Sequence, residues 1–323
     1  MSYKVFLTGS GIAAEAVEFL TNEGCIVEVG DASDSSEDLI RKFKAFNPDG
    51  IIVRQGKITA GVQNAAPNLR VISKHGVGTD NIDKDAATER GIPVLYTPYA
   101  NFESVAQHAL ALILSLARRI PSEDKRIRSG VFDKKGYSGE ELTGKTLGLI
   151  GFGNIARRLS ELAAPFGINV VAYHPSNSAE ELQPHVSKVN NPEALFAQAD
   201  IVSLHSPLNP ETRNLVNKNT IGMMKPGGYV INTARGGIVN EQDLYEALKN
   251  GRLAGAALDA FEAEPPDMSN PLFTLENIIF TTHIGGMSNK SFKNMGFQSS
   301  ENMLSVLKGK TLNPAVVVNK QVL

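Results

Sequence analysis

Short apolar segments alternate with helix-like segments along most of this 323-residue chain. In the first hundred residues the apolar segments are 3–7, 26–29, 51–53, 71–73 and 93–95, and helix-like segments lie around 12–20 and 39–46. Parallel strands need crossover connections, and helical crossovers cover both faces of the sheet, so such strands are apolar throughout. The alternation therefore predicts an α/β fold built on parallel sheets.

A second series of the same kind begins at residue 146. Its predicted strands are 146–150, 169–173, 201–204, 229–232, 254–258 and 278–280, with a helix at 241–249. Between the two series, residues 101–119 are helix-like. The middle of this helix is apolar almost all round, so both of its sides should be buried. Pro121 stops it, and 129–144 form a loop. A helix from Gly286 to about 307 and an extended tail at 314–318 follow. The length suits two domains of roughly 100–200 residues.

Charge and composition argue against several classes of partner. The net charge is −2 and the basic residues are scattered, so neither a nucleic-acid nor a membrane surface is expected. The first residues lack the pattern of a signal peptide, and the most apolar segment, 109–114, is too short to span a bilayer. We therefore expect a cytoplasmic protein. The single cysteine, Cys25, should be an inert thiol at the start of a buried strand. No metal site is predicted.

A glycine loop follows the predicted strand 146–150 and opens a helix. Gly151, Gly153 and Ala156 form a G-x-G-x-x-A motif. The first glycine allows a tight turn, and the second lets the backbone approach a pyrophosphate held by helix N-terminal amides, here those of Asn154 and Ile155. The motif alone is weak evidence. Its place between this strand and this helix predicts dinucleotide binding rather than a purely structural turn.

The position expected to contact the adenosine ribose is unusual. A carboxylate should end the next strand, about 20 residues beyond the glycines, but this position holds His174. Without that carboxylate nothing repels a 2′-phosphate. His174, Ser176, Asn177 and Ser178 offer donors to one, although no arginine is present to bind it in a bidentate manner. The cofactor is predicted to be NAD or NADP, and the alternative to dual use is plain NAD with a neutral ribose contact.

Three residues of complementary chemistry follow successive predicted strands: Arg235, Glu264 and His283. Ligands of open α/β sheets bind at the carboxyl ends of the strands. Reduction of a 2-keto acid needs a cation for the carboxylate and carbonyl oxygen, a proton donor for the developing alkoxide, and a hydride. Arginine suits the first task, and histidine beside a carboxylate suits the second. Each residue alone is ambiguous, but together with the glycine loop they indicate hydride-transfer chemistry.

The glycine loop and several other segments resemble the D-isomer-specific 2-hydroxy-acid dehydrogenases. The other segments are 76–83, 104–108, 233–240, 258–265 and 283–286. The chain is most like the catalytic portion of 3-phosphoglycerate dehydrogenases, and the matching segments cover nearly all of it. The resemblance implies that Arg235 binds the substrate's carboxylate and carbonyl oxygen. His283 would be the general acid in reduction and the base in oxidation, tuned by Glu264. Backbone amides around Val77 and Gly78 would also bind the carboxylate.

The resemblance also implies the cofactor contacts. Asp259 would hold the nicotinamide carboxamide, and Ser206 with Pro207 would line the adenosine side. The remaining contacts implied for the cofactor are Thr233, Ala234 and Gly285.

Three positions depart from the family pattern. Thr282 replaces the proline that usually precedes the catalytic histidine, and we expect this to loosen the loop without removing the chemistry. Gln107 replaces a common glutamate, and His174 replaces the ribose-binding acid. NAD preference is the inference that these departures affect most.

The family topology implies two Rossmann-like domains with parallel sheets. Residues 1–99 and 288–323 would form a flavodoxin-like substrate domain, and an inserted dinucleotide-binding domain would comprise residues 100–287, with the chemistry in the cleft between them. A homodimer is implied, with 101–119 and neighbouring loops at its interface. Because the sequence ends soon after Val318, we expect neither the regulatory domain of longer phosphoglycerate dehydrogenases nor serine feedback.

The sequence leaves several substrates open. In the family, the loops that contain Arg54, Lys57 and Lys74 line the substrate pocket, where these cations could bind a distal phosphate, sulfonate or second carboxylate, as in 3-phosphoglycerate. The alternative is that they are solvated surface groups. The nearest rival is a glyoxylate or hydroxypyruvate reductase, whose substrate lacks a distal anion. A nucleotide-sensing corepressor like the C-terminal-binding proteins is a rival of a different class, although nothing here resembles their partner-binding tails.

Overall fold

The computed structural model describes residues 2–175 and 182–323. Contacts divide the chain into two compact units, one comprising Met1–Asn101 and Met287–Leu323, the other Phe102–Gly286. Each unit is built on a parallel sheet with helices packed against it. The predicted α/β class is confirmed.

The described residues of the first unit form a five-stranded parallel sheet. Its strands are β1 (Lys4–Thr8), β2 (Ile26–Val29), β3 (Gly50–Val53), β4 (Val71–Lys74) and β5 (Val94–Leu95), and its helices are α1 (Ala14–Asn22), α2 (Ser36–Phe46), α3 (Ala60–Asn64), α4 (Lys84–Glu89) and α11 (Asn289–Leu307). The strand order β2-β1-β3-β4-β5 is the flavodoxin-like order. It places the topological switch point between β1 and β3, where ligands of such sheets bind.

Local sequence signals start two of these helices. The Ser35 side chain accepts a hydrogen bond from the Asp38 amide, and the Asp38 side chain accepts one from the Ser35 amide, so a capping box begins α2. Leu39 and Phe43 lie one turn apart on α2 and are fully buried, which stabilises the fold by about 1.5–3 kcal/mol for each side chain. Ser288 caps α11 in the same reciprocal way.

The sheet edge at β2 corrects one expectation. Ile26 and Val29 are 50% and 51% exposed, because β2 pairs only with β1 and lies at the edge of the sheet. The prediction of a buried strand is therefore wrong. Cys25 itself is buried, and burial raises the pKa of its thiol, as expected for an inert core cysteine.

Residues after α11 complete the opposite edge, at β5. The Asn319 side chain is buried; it accepts a hydrogen bond from the Val94 amide at 2.7 Å and donates to the Ile92 carbonyl at 2.9 Å. Val317 pairs with Leu95 in an antiparallel bridge. The tail is not extended throughout, because Pro314–Val316 form a 3₁₀ turn capped by the side chain of the preceding asparagine.

The described residues of the second unit form a seven-stranded parallel sheet. Its strands are β6 (Thr146–Ile150), β7 (Asn169–Tyr173), β8 (Val186–Lys188), β9 (Ile201–Leu204), β10 (Gly228–Asn232), β11 (Leu253–Leu258) and β12 (Ile278–Phe280). Its helices are α5 (Phe102–Ala117), α6 (Ile120–Arg128), α7 (Asn154–Ala163), α8 (Pro192–Gln198), α9 (Lys218–Met223) and α10 (Glu241–Lys249). The order β12-β11-β10-β9-β6-β7-β8 contains the doubly wound Rossmann arrangement.

The connection from α5 to α6 differs from the sequence prediction. Pro121 occupies the first turn of α6, where its missing amide and fixed φ are compatible with a helix. Pro121 therefore lies in the first turn of a further helix, Ile120–Arg128, which was not predicted from the sequence. α5 packs on α7 and on the sheet through residues that include Leu112 and Ile113. Ala111 is exposed, so α5 is not buried on both sides within its own unit.

No helix in residues 2–175 or 182–323 is both long enough and apolar enough to cross a membrane. Within the same ranges, no group of at least three histidine, cysteine, aspartate or glutamate side chains is arranged to hold a metal ion.

Candidate active site

The carboxyl edge of the second sheet brings together most of the predicted site residues of this unit. The neighbouring strands β12, β11 and β10 are followed by His283, by Asp259 and Glu264, and by Arg235. β9 and β6 come next in the sheet, and they are followed by Ser206 and by the glycine loop. Because the strands are parallel, all these segments emerge at one edge of the sheet.

Gly151 is where the chain turns from β6 towards α7. Its φ is +89°, a conformation that glycine adopts without steric cost. A Cβ at this position would lie 2.7 Å from both the His205 carbonyl oxygen and Ser206 Oγ. Glycine therefore lets the loop after β6 pass close to the segment after β9.

Gly153 leaves space in front of α7. It is the N-cap of the helix, and a Cβ on it would meet no described heavy atom within 4 Å. It also has no side chain to accept hydrogen bonds from the first-turn amides, which include those of Asn154 and Ile155. Ala156 is fully buried against the sheet side of the helix. A pyrophosphate fits at such a helix N-terminus, because the amides and the helix dipole both favour an anion.

The turn before Arg235 is shaped by Asn232, a buried residue whose role the sequence reasoning missed. Its Oδ1 accepts a hydrogen bond from the Ala234 amide at 3.0 Å, and its Nδ2 donates to the Arg235 carbonyl at 2.9 Å. Between them, Thr233 has a buried Oγ1 that lacks a hydrogen-bond partner among the described residues. A buried hydroxyl without a partner is costly. This atom therefore suits a site that a bound polar group completes.

The residues expected on the adenosine side lie around β7 and β9. Ser206 Oγ donates to the Ile150 carbonyl at 3.2 Å, and Pro207 is exposed. His174 directly follows β7 and is partly exposed. The other candidates for a phosphate contact, Ser176, Asn177 and Ser178, lie outside the described residues.

Arg235 lies on a loop that is packed tightly against the loop of Glu264. Its Nη1 donates to the Ala234 carbonyl at 2.7 Å, and the side chain is partly exposed. The next residue, Gly236, lies directly against the backbone of Phe261 and Glu262. The two loops are therefore held together by backbone contact.

His283 and Glu264 form an ion-pair contact. His283 Nδ1 lies 2.9 Å from each Glu264 carboxylate oxygen, and the two side chains are 47% and 40% exposed. An ionised carboxylate can only accept hydrogen bonds, so Nδ1 carries a hydrogen and Nε2 is left to face a substrate. The Phe261 amide donates to Glu264 Oε1 at 3.1 Å and fixes the carboxylate further.

Asp259 holds the loop that carries His283. It is 2% exposed. Its Oδ1 accepts hydrogen bonds from the Ile284 amide at 2.8 Å and from Thr281 Oγ1 at 2.6 Å, and its Oδ2 accepts one from the Gly285 amide at 2.8 Å. A carboxamide contact of the kind that the resemblance implies would use the remaining lone pair of Oδ2.

Glu241 is a second residue that sequence reasoning missed. It is the first residue of α10, where the helix dipole favours a negative charge. One carboxylate oxygen accepts a hydrogen bond from the Glu262 amide at 2.8 Å, and the other accepts one from Asn270 Nδ2 at 2.6 Å. Glu241 thus fixes the loop that carries Glu264 through hydrogen bonds on both sides of that residue. No local sequence signal indicates contacts with residues 21 and 29 positions away.

In the first unit, Arg54 and Lys74 lie at the carboxyl edge of the sheet. Arg54 Nη1 donates to the Ser10 carbonyl at 2.5 Å, and Lys74 Nζ donates to the Arg54 carbonyl at 3.3 Å and to Asn81 Oδ1 at 3.0 Å. Lys74 is 9% exposed, so it is not a solvated surface cation. Lys57, by contrast, is exposed.

The turn after β4 contains the two residues implied to bind a carboxylate, Val77 and Gly78. Thr97 fixes this turn, because its Oγ1 accepts a hydrogen bond from the Gly76 amide and its amide donates to the Gly76 carbonyl, both at 3.0 Å. Within the described residues, the amides of Val77 and Gly78 donate no hydrogen bond. Next to the turn, His75 is buried and its Nε2 has no described partner. Burial, with the nearby charges of Arg54 and Lys74, lowers the pKa of His75 to about 4.

Residues 110–285 match the model of the NAD binding domain of the D-isomer specific 2-hydroxyacid dehydrogenases. The chain belongs to this family. It is 40% identical over 311 residues to D-3-phosphoglycerate dehydrogenase of Archaeoglobus fulgidus, an alignment that covers 96% of this chain and 58% of that protein. The resemblance that the sequence motifs indicate is thereby confirmed.

Two further members of the family show the range of similarity. The chain is 39% identical over 262 residues to hydroxypyruvate reductase of Thermotoga maritima, covering 80% of this chain and 85% of that protein. The crystal structure of a glyoxylate reductase from Paecilomyes thermophila superposes with a TM-score of 0.89 at 29% identity, covering 99% of each chain. The chain spans little more than half the length of the phosphoglycerate dehydrogenase above, at 58%.

The family match makes a nicotinamide dinucleotide the cofactor, and the observed residues fit it. Gly151 permits the tight approach of two loops, Gly153 leaves open space at a helix N-terminus, and Thr233 offers a buried hydroxyl without a described partner. The two glycines meet the requirements of a dinucleotide's phosphate-binding loop, and the Thr233 hydroxyl can form a hydrogen bond with a bound polar group.

Proposed function

We propose that this chain catalyses reversible hydride transfer between a nicotinamide dinucleotide and a D-2-hydroxy or 2-keto acid. The contact of His283 Nδ1 with both oxygens of Glu264 carries the proposal, since it prepares an imidazole for proton transfer at its other nitrogen. The cofactor, when bound, supplies or accepts the hydride. Gly151, Gly153, Thr233 and Ala234 would hold it, and Asp259 would contact the carboxamide.

His283 has the central proton-transfer role in this proposal. In reduction, Nε2 donates a proton to the carbonyl oxygen as negative charge develops there, and in oxidation it takes the hydroxyl proton. Glu264 keeps the ring in the tautomer with hydrogen on Nδ1 and stabilises the positive charge of the imidazolium. The same arrangement therefore serves both directions.

Arg235 binds the substrate in this proposal. A guanidinium offers a planar fork of donors, which matches a carboxylate and an adjacent carbonyl oxygen. The amides of Val77 and Gly78 donate no hydrogen bond within the described residues. This supports a further role for the turn in binding the substrate carboxylate. We assign the first unit to the substrate and the second to the dinucleotide.

The direct test is to incubate the purified protein with reduced cofactor and a panel of 2-keto acids, and to follow the absorbance of the reduced cofactor. Turnover that yields the D-hydroxy acid is expected. Cofactor binding without turnover of any 2-keto acid would contradict the proposal and favour a nucleotide-sensing protein.

For the substrate's distal end, we propose that Arg54 and Lys74 bind an anionic group such as a phosphate. Both cations lie at the carboxyl edge of the first sheet, and Lys74 is buried. The test is the Arg54→Ala variant with 3-phosphohydroxypyruvate, for which a higher KM is expected. An unchanged KM, or no turnover of this compound by the unmodified protein, would contradict the proposal.

A small-substrate reductase acting on glyoxylate or hydroxypyruvate is the second candidate. It is favoured by the contact of Arg54 Nη1 with the Ser10 carbonyl, because protein groups already use part of this guanidinium. The ratio of kcat/KM for 3-phosphohydroxypyruvate to kcat/KM for glyoxylate distinguishes the two candidate functions.

We also propose that NADP is used as well as NAD. His174, a residue without negative charge, follows β7 where a carboxylate would repel a 2′-phosphate. Values of kcat/KM for NADPH and NADH should lie within about a factor of ten of each other, since no carboxylate imposes a like-charge penalty. A preference for NADH of about a hundredfold or more, close to 3 kcal/mol, would contradict dual use.

A homodimer is the proposed assembly, with residues 101–119 and the neighbouring segment 120–132 at the interface. Ile120, Ile127 and Phe132 are 55%, 54% and 92% exposed, and apolar side chains clustered along one segment are typical of protein interfaces. Light scattering on the Phe132→Glu variant should show a smaller species than the unmodified protein. If the unmodified protein is monomeric at micromolar concentration, this assembly is wrong.

A further inference from the structure

The segment 104–108 matches the family pattern, yet the catalytic scheme above gives it no role. It lies in α5, and Ser104 and His108 are four residues apart, so their side chains project from the same face of the helix. Both side chains contact the loop that carries His283. Ser104 Oγ donates to the Gly285 carbonyl at 2.9 Å, and His108 Nε2 lies 3.1 Å from Thr281 Oγ1.

These two contacts bracket the catalytic histidine, because Thr281 and Gly285 lie two residues before and two residues after His283. The loop lies close to α5 at Gly285. A Cβ on Gly285 would lie 2.9 Å from Asp259 Oδ2 and 3.2 Å from His108 Cδ2. Gly285 therefore allows the loop to lie between α5 and Asp259.

The hydrogen-bond network assigns the tautomer of His108. The Thr281 hydroxyl has one hydrogen, and it donates this to Asp259 Oδ1 at 2.6 Å, because a carboxylate can only accept. The contact with His108 must then be a hydrogen bond from Nε2–H to Thr281 Oγ1. His108 Nε2 also lies 3.6 Å from Asp259 Oδ1. His108 thus acts on the loop as a donor, through Thr281 and Asp259.

The loop needs external support because its backbone is strained. His283 has φ +56°, a left-handed conformation that costs a non-glycine residue roughly 1 kcal/mol or more. Thr282 is exposed, and its amide donates no hydrogen bond among the described residues. Thr282 also lacks the fixed φ that a proline would contribute at this position.

We propose that Ser104 and His108 are positioning residues, which hold loop 281–285 and thereby fix the direction of His283 Nε2. This inference rests on the proposed function for its kinetic consequences, but not for its structural ones. Neither side chain is assigned contact with substrate or cofactor. Their effect passes through the two ends of the loop and through Asp259.

The test compares His108→Leu with His108→Gln, whose side-chain NH₂ can still donate to Thr281 Oγ1. Ser104→Ala removes the second contact. Gln107→Ala is the matched control, because Gln107 is exposed on the same helix and its side chain donates a hydrogen bond to Glu103, not to loop 281–285. Hydrogen exchange of the peptide containing 281–286 is measured on the protein without ligand, with the β10 peptide as an internal reference. Steady-state kinetics with reduced cofactor and a 2-keto acid are measured in parallel.

His108→Leu is expected to raise exchange in 281–286 about tenfold while the β10 peptide is unchanged, since one tether of a strained loop is lost. Its kcat should fall about tenfold or more with KM changed less than threefold, because misplacement of a proton donor acts on the transition state. His108→Gln should recover most of both effects. Ser104→Ala should behave like a weaker His108→Leu.

Unchanged exchange and kcat in His108→Leu would overturn the proposal, as would a His108→Gln variant no better than His108→Leu. If the unmodified protein turns over no 2-keto acid, the proposed function is refuted. If hydrogen exchange of loop 281–285 nevertheless rises in His108→Leu and recovers in His108→Gln, the positioning role of His108 is supported. The two failures are therefore distinguishable.

Discussion

Gly236 lies so close to Phe261 that a Cβ at position 236 would be 1.8 Å from the Phe261 carbonyl carbon. The atoms in its way are backbone, so they cannot rotate aside. This contact joins the loop of Arg235 to the loop of Glu264, and it therefore sets the relative position of two groups in the proposed chemistry.

The Gly236→Ala variant should consequently lose both stability and activity. Overpacking of this kind costs about 1–3 kcal/mol, and for a domain of this size about 2–4 °C in Tm per kcal/mol. Thermal denaturation and kcat/KM are the measurements. Gly237→Ala is the matched control, since a Cβ there would meet the flexible Leu208 side chain at 3.1 Å. Equal changes in Tm and kcat/KM in the two variants would show that the contact of Gly236 with the Phe261 backbone contributes neither to stability nor to activity.

Replacement of His283 by alanine tests the proposed proton donor. Loss of a positioned general acid or base lowers kcat by about 10²–10⁴-fold, and binding of the reduced cofactor, followed by fluorescence titration, should be retained. Glu264→Gln keeps an acceptor for Nδ1–H but removes the charge, so a smaller fall of about ten- to a hundredfold is expected. Glu262→Gln, a change of the same type at an exposed neighbour, is the control. Full turnover in His283→Ala would mean that another group transfers the proton.

Glu241→Gln tests the anchor of the Glu264 loop. A glutamine can accept with only one side-chain oxygen, so the contact with either the Glu262 amide or the Asn270 amide group is lost. Removing a hydrogen bond to a charged group costs about 1.5–3 kcal/mol where the partner stays buried, and less at this partly exposed site. We expect kcat to fall several-fold and exchange of the 261–270 peptide to rise. Glu246→Gln, on the exposed side of the same helix, should leave both quantities unchanged.

His75 should make stability depend on pH in a defined range. Burial, followed by the charges of Arg54 and Lys74, lowers its pKa from 6.5 to about 4. Between these values the unfolded chain binds a proton that the folded chain does not, so the free energy of unfolding falls as pH falls from 6.5 to 4 and is unaffected by His75 above 6.5. The full effect is about 3 kcal/mol, at 1.36 kcal/mol per pKa unit.

Urea denaturation of His75→Gln between pH 4 and 7 measures this contribution. The variant should lose stability less steeply than the unmodified protein as the pH falls, with the difference confined to that window. His185→Gln, at an exposed histidine, should retain the original slope. Parallel pH profiles for His75→Gln and the unmodified protein would contradict the burial argument.

The sequence predicted the central strands because they are short and apolar throughout, and parallel sheets bury both faces of such strands. β8 was missed, since two of its three residues, Ser187 and Lys188, are exposed and polar at the sheet edge. β2 was predicted but mistaken for a buried strand. Ile26 and Val29 are as apolar as core residues, so nothing in the sequence indicates that β2 lies at the edge of its sheet. Pro121 was interpreted as a stop, although the first turn of a helix also accommodates proline.

The candidate site was predictable where residues follow strand ends directly, as Arg235 and Gly151 do. Its supporting contacts were not. Ser104 meets Gly285 across 181 positions of sequence, and Glu241 meets Asn270 across 29. Such pairs depend on how helices pack on the sheet, and neither residue type nor local periodicity encodes that.

The edge of β5 is completed by residues 316–319, which follow the entire second unit in the chain. During synthesis, the main-chain groups of Val94 and Tyr96 are made long before their partners Asn319, Val318 and Val316 leave the ribosome. The second unit has its own core and its whole sequence in one stretch, so it can fold while the first still has an open sheet edge. Completion of the first sheet is therefore coupled to completion of translation, and a chain interrupted before α11 would contain all of the second unit but only part of the first.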